Sequence, residues 1–268
     1  MSRGKRFSRA LCRSFNAGGQ KRCRLLGGLL LTSCSHLAAT VTVASHQSFA
    51  SALNIALING NSRRDGPPRP ILGKRVTELI KQRLEGRGNV VTVFDPIELG
   101  LPLLEKPHFA YSSSQVPRKL QEINQALNTS DAYVTITPEY NHAPSPALIN
   151  LLNHFGSSTF SFKPSAIVSY SAGQWGGTRA AIALRPILSE LGCLPVSAMI
   201  HIPKAQDVVN EDGTLQKSED ESEWDSYFER TFSQLEWWGE AAKRHHDVVD
   251  PFKASPAFRS SPSQRNAP

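Results

Sequence analysis

The chain is poor in cysteine, with four in 268 residues, and three of these (Cys12, Cys23, Cys34) lie in the first 50 positions. The remaining 218 residues keep only Cys193, so no disulfide framework can form within them. No CxxC pair and no Cys/His cluster is present, which removes the usual zinc spacings. Acidic residues are missing from positions 1–50, where eight Lys and Arg stand unopposed. The formal net charge of +7 therefore belongs to that leader; positions 51–268 hold 22 basic against 23 acidic residues. A nucleic-acid partner loses its electrostatic argument once the leader is set aside. Only one uncharged stretch approaches membrane-spanning length, so a polytopic membrane protein is excluded and no stable membrane insertion is expected. Apolar residues at 40% exclude a wholly disordered chain.

Residues 1–50 read as a targeting leader or a disordered extension. Their Arg- and Ser-rich, acid-free start suits mitochondrial import. A secretory signal, a single anchor helix and an extension without an address are the other readings. Localisation is accordingly mitochondrial or cytoplasmic. Residues 251–268, rich in Ser, Pro and Arg, read as a disordered tail.

Between these ends, residues 51–250 alternate apolar runs with helical periodicity. Strands are expected at 53–58, 90–94, 132–137, 166–170 and 196–202, the third stopped by Pro138. Helices are expected at 72–84, closed by Gly86, Arg87 and Gly88, and at 117–127, 146–155 and 177–191. Pro186 lies inside the last of these, and Gly192 closes it. The segment 95–114 reads as a long surface loop. A final helix begins with a capping box of Ser218 and Glu221 and turns Trp224, Tyr227, Phe228, Thr231, Leu235 and Trp238 to one face. That face packs on the sheet; an oligomer contact through Trp237 is the minority reading. The sum is an α/β domain, a doubly wound sheet of five parallel strands flanked by helices.

Ligands of such sheets bind beyond the carboxyl ends of the strands, which singles out loops 60–73, 137–145 and 171–178. In the first, Gly60, Asn61, Ser62 and Arg63 offer groups suited to a phosphate, although a solvated basic turn fits equally. It is neither a Walker loop nor a GxGxxG turn. In the second, Pro138, Glu139, Tyr140 and Asn141 follow a strand directly, and Tyr140 offers a flat face for stacking. His142 reads as solvent-facing, since no triad is evident around it. In the third, Ser171, Gly173, Trp175, Gly176 and Gly177 form a Gly-rich turn that opens a helix, suited to close backbone approach and to negative charge. No metal site and no catalytic side chain stand out.

Thr137–Pro–Glu–Tyr–Asn–His142, Pro146–Ala–Leu148, and 171–177 with Arg179, Ala180 and 184–192, resemble the NADPH-dependent FMN reductase family. The resemblance covers about residues 53–202. It implies a flavodoxin-like fold and FMN bound with its phosphate at Gly60, Asn61, Ser62 and Arg63. It places isoalloxazine contacts at Pro138, Glu139, Tyr140 and Asn141, and further flavin contacts at Ser171, Gly173, Trp175, Gly176 and Gly177. It implies NADPH or NADH as co-substrate, a quinone or similar small-molecule acceptor, and a homodimer or homotetramer. The flavin carries the chemistry; loop N–H groups and the start of the 177–191 helix would stabilise charge on it. A flavodoxin-type electron-transfer module without direct NAD(P)H oxidation is the alternative. The chain departs from the family pattern at Asn61, where a hydroxyl is common. It departs again in its longer 63–73 stretch, and at Ile149 and Asn153, where Lys and Asp are frequent.

Overall fold

The computed structural model describes residues 52–254; the leader and most of the tail, with their targeting and disorder readings, lie outside the described residues. The chain order is β1 (Asn54–Asn59), α1 (Leu72–Gly86), β2 (Val90–Phe94), α2 (Pro96–Leu99), a 3-10 turn (His108–Ala110), α3 (Arg118–Thr129), β3 (Ala132–Tyr140) and β4 (Ala143–Pro144). It continues through α4 (Pro146–Asn153), α5 (Ser157–Phe160), β5 (Pro164–Tyr170), α6 (Thr178–Glu190), β6 (Leu194–Pro195) and β7 (Ile200–Ile202). Helices α7 (Ala205–Val208), α8 (Glu221–His246) and α9 (Pro251–Ala254) close it.

The sheet order is β2-β1-β3-β5-β6, with β7 also on β5, and every pairing among these strands is parallel. This is the flavodoxin-like doubly wound arrangement. β1 after Asn54 and all of β5 are buried on both faces because helices cover both sides. Ile55, Leu57, Val134 and Ile136 meet α1 and α8 on one side. Ala56, Ile58, Tyr133 and Ile167 meet α3, α4 and α6 on the other.

Several expectations need correction. β3 does not stop at Pro138 but runs to Tyr140, because Glu139 and Tyr140 pair antiparallel with β4. Pairing with β1 has already ended at Ile136, so the missing N–H of Pro138 interrupts no ladder on that side. The fifth strand is two short strands. Between them, α8 supplies Gln234, whose Oε1 accepts from the Ser197 N–H at 3.2 Å and its hydroxyl at 2.8 Å. Arg185 Nη1 donates to the Val196 carbonyl at 2.8 Å. Side chains thus satisfy backbone that a continuous strand would have paired.

The N-cap of α8 is Asp220, not Ser218: its carboxylate accepts from the N–H groups of Ser222 and Glu223. The α8 face is buried at Phe228, Thr231, Phe232, Leu235 and Gly239, whereas Trp238 is largely exposed, as is Trp237. The segment after β2 is not wholly loop: Asp95 caps α2, and Gly100 ends it in the left-handed region. Residues 251–254 form α9 rather than tail. α6 runs through Pro186, which sits on its exposed side, and closes as expected. Gly192 (φ 82°) donates to Ser189, and Cys193 donates to Leu188, the Schellman pattern.

Lys163, ahead of β5, is buried. Its ammonium donates to the Asn128 carbonyl at 2.6 Å and to the Tyr133 hydroxyl at 3.3 Å. Burial pulls its pKa down from 10.5 to about 8, against the weaker opposing pull of Asp131. As pH rises through 8 the folded amine loses its proton while the unfolded one keeps it, so stability rises until about 10.5. Relative to Lys163→Met, the wild type should gain about 2 kcal/mol between pH 7.5 and 9.5. Urea titrations at the two pH values measure this, and a flat difference refutes it.

Candidate functional site

The tips of β1, β3 and β5 meet in one cleft of about 210 Å³. Among the residues singled out from sequence, Asn61, Arg63, Pro138, Glu139, Tyr140 and Ser171 line it. Gly60 sits at the crossing of β1 and β3. Its N–H donates to the Ile136 carbonyl at 2.7 Å, and an added Cβ would stand 2.7 Å from that same oxygen.

Asn61 is buried, and its amide is committed to the loop itself. Oδ1 accepts from the Arg63 N–H at 3.2 Å, and Nδ2 donates to the Arg63 carbonyl at 3.0 Å. The Asn61 N–H goes to Asn59 Oδ1, and Asn59 Nδ2 donates to Asp95. Asn61 thus shapes the turn, while the Ser62 hydroxyl and the Arg63 guanidinium remain at its rim. Ser62 Oγ donates to the Tyr140 hydroxyl at 3.0 Å, which joins the first loop to the second.

The second loop is a β-hairpin. Tyr140 pairs with Ala143, and Asn141 (φ 49°) and His142 (φ 65°) occupy the two left-handed positions between them. That backbone matches the favoured two-residue hairpin turn, where Asn-Gly is the preferred pair. Asn141 therefore builds the turn outside the cleft lining, and His142 is exposed at the tip. His142→Gly should raise stability by about 1 kcal/mol by relieving the left-handed strain. A thermal melt reads this, and a loss of stability would contradict it.

Glu139 turns its carboxylate to α6. Oε2 accepts from the Arg179 N–H at 3.1 Å, and Oε1 accepts from Arg179 Nη1 at 2.5 Å. Burial works to raise its pKa, but the Arg179 guanidinium and the N–H groups of Ala180 and Arg179 outweigh it and hold the carboxyl below its ordinary value. The N-cap of α6, Gly177, has no side chain, so Glu139 caps this helix from 38 positions upstream. This corrects the expectation that the start of the helix faces a ligand's charge: the Arg179 N–H is already taken.

In the third loop the glycines answer to packing. Gly176 (φ 59°) lies against Pro203 and His201, and Gly177 (φ 76°) against the Tyr170 backbone, each leaving about 3.0 Å for a Cβ. The Ser171 hydroxyl donates to the Gly173 carbonyl at 2.9 Å. Trp175 is 61% exposed, with the Arg179 guanidinium 5.8 Å from its ring centre.

Sequence reasoning missed the apolar wall of the cleft: Ile71 and Leu72, which lead into α1, together with Gly73 and the strand-final Tyr170. A Cβ added at Gly73 would stand only 2.6 Å from the Tyr170 hydroxyl and 3.1 Å from the Asn61 side chain, so a larger residue there must displace one of the two. Burial, reinforced by Tyr140 and Asp95, raises the pKa of Tyr170 far enough to keep it neutral. Ile71–Gly73 fell inside the flagged first loop, and Tyr170 directly precedes the third; adjacency to the loops was the available signal. Among the described residues no cluster of His, Cys, Asp or Glu could hold a metal ion, and no helix is long and apolar enough to cross a membrane.

The sheet order and the three-loop cleft define a flavodoxin-like α/β protein. Residues 53–207 match the description "NADPH-dependent FMN reductase", and the chain belongs to that family. Its relatives include an NADPH azoreductase of Bacillus sp. (strain OY1-2), 30% identical over 131 residues, covering 48% of this chain and 64% of that one. An NAD(P)H-dependent FMN reductase of Pseudomonas aeruginosa is 30% identical over 120 residues, covering 43% and 63%. These matches span less than two thirds of either relative. Among solved structures, the flavoenzyme NAD(P)H:(acceptor) oxidoreductase FerB of Paracoccus denitrificans superposes with a TM-score of 0.53. It is 19% identical and covers 71% of this chain and 99% of that one, a likeness of fold.

Proposed function

We propose that this chain is an FMN-dependent oxidoreductase that passes hydride from NAD(P)H to a quinone or similar small acceptor. The observation that carries the reading is the convergence of three loops on one cleft at the carboxyl ends of the strands, where doubly wound sheets take ligands. The residues there suit FMN. Hydroxyls and a guanidinium at Ser62, Arg63, Tyr140 and Ser171 serve an anionic, polar ligand, and Ile71, Leu72, Pro138 and Tyr170 serve a flat apolar ring. The glycine at position 73 keeps that wall open.

FMN, when bound, supplies the hydride chemistry. The protein's part is placement. Gly60, Asn61, Ser62 and Arg63 would hold the phosphate, with Asn61 setting the turn and Arg63 supplying charge. Pro138, Glu139, Tyr140 and Asn141 would position the ring system through the hairpin, the Ser62–Tyr140 hydrogen bond fixing its distance from the first loop. Ser171, Gly173, Trp175, Gly176 and Gly177 would close the other side. With Arg63 assigned to the FMN phosphate and Arg69 already paired with Asp65, Arg64 is the residue that would favour the extra phosphate of NADPH over NADH. A homodimer or homotetramer belongs to the proposal, supported by the exposed Trp237–Trp238 pair on α8.

Purified protein reconstituted with FMN should lose its 450 nm flavin absorbance anaerobically on addition of about one equivalent of NADPH and regain it with a quinone. Bound flavin that NADPH does not bleach would refute the reductase reading.

A further inference from the structure

The placement just described uses Glu139 through the hairpin and leaves its ion-pair partner, Arg179, without a role. The ion pair joins the second loop to the first turn of α6, one carboxylate oxygen takes the guanidinium and the other the Arg179 backbone N–H, and the Glu139 side chain is only 10% exposed. Glu139 lines the cleft, and Arg179 stands on the first turn of α6 beneath Trp175. The carboxylate occupies helix N–H groups that would otherwise lend positive field to the cleft. The guanidinium returns one positive charge beside it. The pair itself is neutral; removing the carboxylate makes the cleft, which Arg63 also lines, more positive, and removing the guanidinium makes it less so.

We propose that Glu139 and Arg179 are positioning residues with two linked roles: they pin the second loop to the start of α6, and they set the electrostatic balance of the cleft against the charge on bound FMN. The second role rests on the FMN reading above; the first does not. Reduction adds negative charge to the flavin, so a more positive rim favours the reduced form and a less positive rim disfavours it. Loss of the carboxylate charge in Glu139→Gln should therefore tighten reduced over oxidised FMN by about tenfold. Arg179→Gln should shift the same ratio by about tenfold in the opposite direction. For a two-electron couple, tenfold is about 30 mV in midpoint potential, upward for the first variant and downward for the second. A merely structural pair would move both variants the same way.

The test is anaerobic titration of wild type and both variants with oxidised and dithionite-reduced FMN, followed by flavin fluorescence and midpoint potential. Opposite shifts support the proposal; shifts of one sign, or none, overturn its electrostatic half. The pinning half is read without any flavin. In the apo-protein, Glu139→Ala and Arg179→Ala should each lower the urea midpoint, and the double variant should fall by less than the sum. Strict additivity overturns it. If the wild type binds FMN in neither state, the FMN reading falls together with the electrostatic half, and the apo-protein cycle still decides the pinning.

Discussion

Glu236→Ala should cost about 3 kcal/mol of stability, the low end of the scale for stripping one partner from a buried ion pair, because the Arg87 left behind is partly exposed. Glu236 lies on α8 with its side chain 5% exposed. Its carboxylate takes two hydrogen bonds from Arg87, through Nε and Nη2, and a third from Asn89 Nδ2 at 2.8 Å. Asn89 also donates to the Leu84 carbonyl and accepts from the Leu53 N–H at 3.2 Å. One carboxylate therefore ties the long helix to the α1–β2 turn and to the start of β1. The hydrogen bond that Arg87 donates to Glu236, working against burial, is the main reason that the pKa of Arg87 is raised. Without Glu236, Arg87 keeps only Glu229 as a carboxylate partner, and that one is exposed. Urea unfolding reads the loss. Arg87→Met combined with Glu236→Leu should recover a large part of it, because the cost lies in the abandoned charge rather than in the missing pair. A loss below 1 kcal/mol for Glu236→Ala would show the network to be solvated.

Gly60→Val should damage the cleft more than the core. The first side-chain atom would stand 2.7 Å from the Ile136 carbonyl, 3.1 Å from Leu148 Cβ and 3.4 Å from Thr137 Cα. Two of those are backbone, so the tips of β1 and β3 must separate, and the Gly60–Ile136 hydrogen bond is lost with them. Overpacking of this kind costs roughly 1–3 kcal/mol. FMN affinity should fall by more than tenfold, about 1.4 kcal/mol or more, because Asn61, Ser62 and Arg63 are carried on the displaced tip. Gly86→Ala is the control: nothing lies within 4 Å of its Cβ position, it sits in α1, and the change should stabilise by up to about 1 kcal/mol. Equal FMN affinity in Gly60→Val and wild type would separate the β1 tip from the ligand.

Sequence pattern was enough wherever the cause was local. The strands announced themselves because helices cover both sides of the sheet and the runs Ile55–Ile58 and Ala166–Val168 are apolar throughout. Gly192 was legible because a left-handed helix end favours glycine. The loops were legible because glycine, proline and an aromatic followed those runs directly.

What sequence could not show depended on partners far along the chain. The gap between β6 and β7 is filled by Gln234 from α8 and Arg185 from α6, and no local pattern at 196–199 carries that information. The role of Glu139 as a cap was invisible because capping patterns are read three or four residues apart, not 38. Pro138 read as a stop, yet β3 had already lost its β1 neighbour there. At α8 the capping-box spacing pointed to Ser218, and the geometry puts the cap two residues later, at Asp220. The same helix exposes Trp238 because its buried stripe passes through Phe232 and Gly239 instead, where Gly239 leaves room for Leu53.

The central claim is that the cleft between Asn61, Tyr140 and Tyr170 is a flavin mononucleotide site. Equilibrium titration of the apo-protein with FMN, beside riboflavin, tests it most directly. Saturable binding of one FMN per chain, with riboflavin clearly weaker for want of a phosphate, is the expected result; no saturable binding of FMN would contradict it.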